Sequence, residues 1–241
     1  KMLQQVNIVY PFGLYLNDRT MREFAAYIAK QKNLTEDAAT LYDKSGNYPT
    51  LARELFFVSN INSLLAEQPN EPLLSDVWLP DLQIMTARRA DMFVAMKGGN
   101  NGESHNHNDV GSFVVYAGGQ PLIIDPAVGE YTSKTFSNRR YEIWTMQSQY
   151  HNLPQINATD QRDGKQFAAA EAKYRKGSLS LNIAGAYPAE AGVKRWVRTV
   201  GIAKNGSVTV NEDYELAKSE GRTKLMLITI AKPELAAKGV V

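Results

Sequence analysis

Residues Gln68-Pro69-Asn70-Glu71-Pro72 divide this chain into two stretches of different periodicity, and that division constrains the fold more than any other feature. Two prolines within five residues stop a helix. Proline lacks the N–H an interior turn needs and biases the residue before it away from helical angles. Ahead of the cluster the apolar residues recur at helical spacing. The segment Asn17 to Lys32 sets Met21, Phe24, Tyr27 and Ile28 on one side of a helix. Thr35–Asp37, ahead of Ala38, Ala39 and Leu41, reads as the start of a short second helix. Pro49 suits the first turn of another, with Leu51, Leu55, Val58, Ile61 and Leu65 as its stripe.

Beyond residue 72 the pattern becomes alternating or short and apolar. Leu82–Thr86, Met92–Met96, Phe113–Tyr116 and Pro121–Ile124 read as strands, as do Phe167–Tyr174, Leu179–Ile183, Val193–Val200, Ser207–Asn211 and Leu225–Ile230. Glycines at 177, 192, 206 and 221 punctuate the later ones. Many short strands with turn signals predict an antiparallel β-sandwich. The expected class is therefore α+β, with helices over 1–72 and a large antiparallel sandwich over 73–241.

Composition narrows the function classes. Twenty-seven basic residues against 25 acidic ones give a formal charge of +2, which leaves no electrostatic footprint for nucleic acid. No run reaches the roughly 18 apolar residues of a spanning helix, so no membrane role is expected. With no cysteine, thiolate zinc sites, disulfides and cysteine nucleophiles are excluded. The opening Lys1–Met2, followed by polar Gln4, Gln5 and Asn7, lacks a signal-peptide pattern, and neither end carries obvious caps. The expectation is a piece of a longer protein, in which an oligomer is compatible with everything on view.

The chain has three histidines, His105, His107 and His151. Two lie in Ser104-His-Asn-His-Asn-Asp109, where an extended backbone would put His105, His107 and Asp109 on one face. Neighbouring imidazoles with a carboxylate suit a zinc-type cation. Asp125 leaves the apolar stretch Leu122–Ile124 and needs a partner there. The same patterns also serve as plain surface polarity and as an Asp-Pro turn opener. Spacing alone therefore leaves both readings open. There is no HExxH, Walker A, G-x-S-x-G or G-x-G-x-x-G motif. Trp78, Trp144 and Trp196 could stack on sugars, but in a sandwich tryptophan more often belongs to the core.

The stretch HNHNDVGSFVVYAGGQPLIIDPAVGEYT, followed by YHNLPQIN, resembles the central block of the heparinase II/III-like polysaccharide lyases. The resemblance implies that residues 1–72 are the last helices of an α/α toroid and that 73–241 are the family's β-sandwich. It implies zinc, in a structural role, on His107, Asp125 and His151, and a catalytic role for His105. Many relatives carry glycine where Ala127 stands. β-Elimination of a uronate removes the C5 proton, stabilises the carboxylate-centred anion and protonates the departing O4, so a near-neutral histidine suits it. Tyr131 is a plausible second catalytic phenol, and Arg139 and Arg140 are candidates to pair with substrate carboxylates.

The resemblance thus points to a lyase acting on uronate-containing acidic glycans of heparin, heparan or alginate type, in the periplasm or secreted. Its other catalytic groups would come from upstream toroid helices, so this stretch alone would be inactive. Two rivals remain: a non-catalytic carbohydrate-binding sandwich, and a structural domain that binds no metal.

Overall fold

The computed structural model describes residues 6–34, 51–72 and 74–234. They belong to two compact units, residues 1–74 and 75–241. The helix starts expected at Thr35–Asp37 and Pro49 lie outside the described residues.

The first unit is helical. Helix α1 (Val6–Tyr15) was not legible from periodicity, because Pro11 and the polar Asn7 interrupt its pattern. Helix α2 (Arg19–Gln31) starts where Asp18 caps it, its carboxylate accepting from the Met21 N–H at 3.0 Å. An Arg19–Glu23 pair and a 2.8 Å Arg22–Glu67 pair brace its outer side. Of the expected stripe only Ile28 is buried. The buried strip is made of Ala25, Ala26, Ile28 and Ala29, with Phe24 and Tyr27 packed at its margin. Small side chains let a second helix approach closely. Gly13 of α1 shows this directly, since a Cβ there would meet Arg22 Cγ at 3.0 Å.

Helix α3 (Leu51–Ser59) ends at Asn60 and α4 (Ile61–Ala66) restarts after it. The break changes the helical phase. Leu51, Leu55, Val58 and Leu65 are exposed, while Phe57, Ile61 and Leu64 are buried.

The second unit holds two main antiparallel sheets, so the chain mixes helix with antiparallel sheet as expected. The first sheet contains β1 (Val77–Leu79), β2 (Ile84–Arg89), β3 (Met92–Lys97), β5 (Phe113–Ala117) and β6 (Gln120–Ile123), in the order β1-β2-β3-β5-β6. Short β4 (Asn100–Asn101) pairs instead with β8 (Gly164–Ala168). The second sheet runs β12-β11-β10-β9, from β9 (Ala170–Arg175), β10 (Ser178–Asn182), β11 (Val193–Ile202) and β12 (Val208–Leu216). Strand β7 (Pro154–Gln155) pairs with β13 (Lys224–Leu225), which is only the start of the strand expected over 225–230.

Period-two alternation places Met85, Ala87, Val94, Met96, Phe113 and Val115 inward from the first sheet. Leu179, Leu181, Trp196, Val200 and Ile202 point inward from the second, and all belong to one core. Gly118 and Gly119, with φ of +56° and +76°, turn β5 into β6 as a two-residue hairpin loop demands.

Candidate functional site

The histidine loop lies between β4 and β5 and is not an extended strand. His105 has φ of +59°, in the left-handed region, so the expected shared face for His105, His107 and Asp109 does not form. The reversal sends the two rings to different surroundings. His105 is exposed and meets Phe136 edge-on, with ring centroids 5.1 Å apart. His107 is half-buried, with its ring centroid 5.2 Å from that of His151. Donor atoms of His107, Asp109 and His151 all lie within 4.8 Å of one another. Burial holds the His107 pKa below its ordinary 6.5, against the opposing pull of Asp109. A neutral ring keeps a lone pair for a cation.

His151 follows a run of three short 3-10 turns, Arg140–Glu142, Trp144–Met146 and Ser148–Tyr150, and its side chain is fully buried. Its Nδ1 lies 2.9 Å from Asp125 Oδ2, and its Nε2 lies 3.0 Å from the Thr145 carbonyl oxygen. Both partners accept hydrogen bonds, whereas a neutral imidazole donates only one. A neutral ring thus satisfies only one of the two partners by donation, and the other contact is open to a proton on the carboxylate or to a cation. If Nε2 donates to Thr145, Nδ1 is the free ligand atom aimed at the carboxylate, a fixed-tautomer arrangement typical of metal-ligating histidines. Burial would raise the Asp125 pKa, but the His151 contact, the Ala127 N–H at 2.9 Å and nearby His107 together bring it below its ordinary 3.8. The donor set that comes together is thus His107, Asp109 and His151, a combination that suits a zinc-type ion, whereas the expected Asp125 meets this set through His151. In the same loop, the buried Asn108 Oδ1 has no protein partner.

Asp109 is the second carboxylate here, and Lys97 Nζ sits 2.8 Å from its Oδ1. Asp109 and Asp125 both line one cavity of about 150 Å³, together with Lys97, Ser112 and Phe113. Asp109 is thus neutralised by a lysine, while Asp125 leans on a histidine. Ala127 has φ of +58°, a conformation that glycine adopts without strain.

The other expected site residues lie on the segment before His151. Tyr131 is exposed and packs edge-on against Phe136 at 5.3 Å, so Phe136 lies between Tyr131 and His105. Arg139 forks onto Glu142 through Nε at 2.9 Å and Nη2 at 2.8 Å. Arg140 turns inward, and its guanidinium donates to the backbone oxygens of Asn106 and Thr135. Trp144 is exposed beside Tyr150, whereas Trp196 is buried and Trp78 stacks on Tyr174.

Sequence reasoning passed over the side chains that build this site. Asn152 is fully buried and uses its whole amide: Nδ2 donates to the Phe113 and Ile124 oxygens, and Oδ1 accepts from the Ile228 N–H. It ties the residue after His151 to β5 and to the segment carrying Asp125. Arg198 of β11 donates to the Gly111 and Asn152 oxygens and pairs with Glu212. Buried Asn101 accepts from the Asp109 N–H and donates to Gln161, which holds both backbone groups of Val110. The alternation of β11, which turns Trp196, Arg198 and Val200 to one side, was the available signal for Arg198.

A family model described as Heparinase II/III-like, C-terminal, matches residues 71–231. Among solved structures, a crystal structure of heparinase III superposes with a TM-score of 0.51 at 17% identity, over 69% of this chain and 26% of that one. A heparan sulfate lyase HepC mutant from Pedobacter heparinus aligns with a TM-score of 0.46 at 15% identity, over 83% of this chain and 28% of that one. This chain thus spans only 26% to 28% of the length of those two structures. No curated protein matches the chain significantly.

Proposed function

The chain belongs to the heparinase II/III-like C-terminal family, and from that premise we propose that it forms the sandwich side of a polysaccharide lyase active site. The substrate is a uronate-containing acidic glycan of heparin, heparan or alginate type, cleaved by β-elimination at the 4-O-glycosidic bond. The remaining catalytic groups come from upstream helices of an α/α toroid, of which residues 1–72 are the end. The stretch is therefore inactive alone, and the whole protein works in the periplasm or outside the cell.

His107, Asp125 and His151 would hold a zinc ion, which when bound supplies a fixed positive charge that ties β6, the histidine loop and the His151 segment together. That role is structural. His105, exposed beside the cluster, exchanges a proton with the sugar, and Tyr131 stands close enough through Phe136 to serve as a second phenol on the same surface. Exposed Phe136 and Tyr131 offer aromatic faces for a pyranose ring. Arg139 reaches a substrate carboxylate only by exchanging its Glu142 partner for it.

The observation that carries the reading is the convergence of His107 and His151 beside Asp125, within the matched family segment. The test is release of the unsaturated uronyl ultraviolet chromophore from heparan sulfate and from alginate by the protein with its upstream helical region, against its His105→Ala variant. Chromophore release lost in the variant is the expected result. Glycan binding without release in the unmodified protein, undiminished in His105→Ala, would instead establish the non-catalytic binding module that the exposed aromatics favour.

A further inference from the structure

Asn106 lies between the two histidines of the loop and is nine-tenths buried. It is gripped from two directions. Arg140 donates to its carbonyl oxygen from Nε at 3.1 Å and Nη2 at 2.8 Å, while Nη1 holds the Thr135 carbonyl oxygen. Tyr141 donates from its hydroxyl to Asn106 Oδ1 at 3.1 Å, and Asn106 Nδ2 donates onward to the His107 carbonyl oxygen at 2.9 Å. Burial pushes the Tyr141 phenol up, which keeps it a donor through neutral pH.

The residue before Asn106 is His105, whose φ of +59° is a left-handed conformation that disfavours a residue with a Cβ. Such a conformation persists only where its surroundings impose it. Here they do so by fixing the next peptide. One short segment meets two of the three histidines and grips the residue that joins His105 to His107: Phe136 meets the His105 ring, Arg140 and Tyr141 hold Asn106, and Thr145 lies against His151.

We infer that Arg140, assisted by Tyr141, is a positioning residue that aims His105 outward and His107 inward through Asn106. Its planar fork suits two bonds to one carbonyl with a third to another, which a lysine cannot reproduce. Arg140 thus acts on the histidines rather than on substrate. The functional weight of the inference rests on the proposed roles of His105 and His107; its geometry does not.

The test uses the full 241-residue chain with labelled histidine, whose three rings give three NMR signals. Arg140→Ala should displace the His105 and His107 signals and leave that of His151 nearly in place. Zinc affinity, read by competition with a chelating dye, should fall by roughly 10- to 100-fold. Added guanidinium ion should restore both readouts, and Arg140→Lys should not match the wild type. Tyr141→Phe, which removes one bond only, should move the same two signals by less. It serves as the deciding variant if Arg140→Ala fails to fold by circular dichroism.

Unmoved His105 and His107 signals in the folded variant would overturn the inference. So would loss of heparan oligosaccharide binding with those signals unmoved, since Arg140 would then be a substrate contact. If wild-type protein takes up no zinc, the metal reading falls while the ring signals still decide this one.

Discussion

Arg198 brings a guanidinium into the core, 2% exposed, and Glu212 meets it at 2.6 Å. Its remaining donors close on the Gly111 and Asn152 oxygens, so one side chain supports both the turn before β5 and the residue after His151. Removing one partner of such a pair leaves the other charge buried and uncompensated. Arg198→Met should therefore lose roughly 3–5 kcal/mol in urea unfolding. Pairing it with Glu212→Gln should recover part of that loss, and a loss within 1 kcal/mol of zero would contradict this account. At this scale the sequence singled out the histidines and Asp125 as candidates, since HxH and Asp-Pro are local patterns. Asn106, Asn152, Arg198 and the inward contacts of Arg140 were not, because each takes its meaning from groups distant in sequence. Arg140, for example, reaches 34 residues back to Asn106.

Among the elements, strands were read more faithfully than helix faces. Alternation in Met92–Met96 and Val193–Val200 maps directly onto inward and outward sides, and the Gly118-Gly119 turn is a two-residue signal. The stripe across Leu51–Leu65 failed because Asn60 interrupts the helix and resets its phase. In α2 three alanines, too small to stand out in a hydropathy pattern, make the contact. Strand ends are also tied by charge. Asp76 accepts from Arg89 through both carboxylate oxygens, at 2.8 and 2.7 Å, and from the Arg88 N–H at 3.0 Å. The Arg89 hydrogen bonds hold its pKa below the ordinary 3.8 despite partial burial. A carboxylate depressed on folding stabilises above its unfolded pKa and loses that contribution as pH falls through the folded value. The stability gap between wild type and Asp76→Asn, of the order of 1 kcal/mol or less, should be full at neutral pH and close as pH drops below 3.8. Thermal unfolding across that range checks it, and a gap that widens in acid would contradict the pairing.

For the molecule as a whole, antiparallel sheet was legible from the short strands and turns after residue 72, and the family from the block around residues 100–160, with which the family match over 71–231 agrees. The histidine loop was legible in content but not in shape. An extended reading put His105 and His107 on one face, whereas the left-handed turn at His105 gives one ring to the surface and the other to the buried cluster. In the proposed function, that separation lets one hexapeptide serve both a reacting surface and a metal centre. The central claim, a zinc site built by His107 and His151 with Asp125, is tested most directly by elemental analysis of the purified, zinc-supplemented chain beside its His107→Ala and His151→Ala variants. The account predicts one zinc per wild-type chain and its loss in both variants. A folded wild-type chain without metal, or folded variants that retain it in full, would contradict the account.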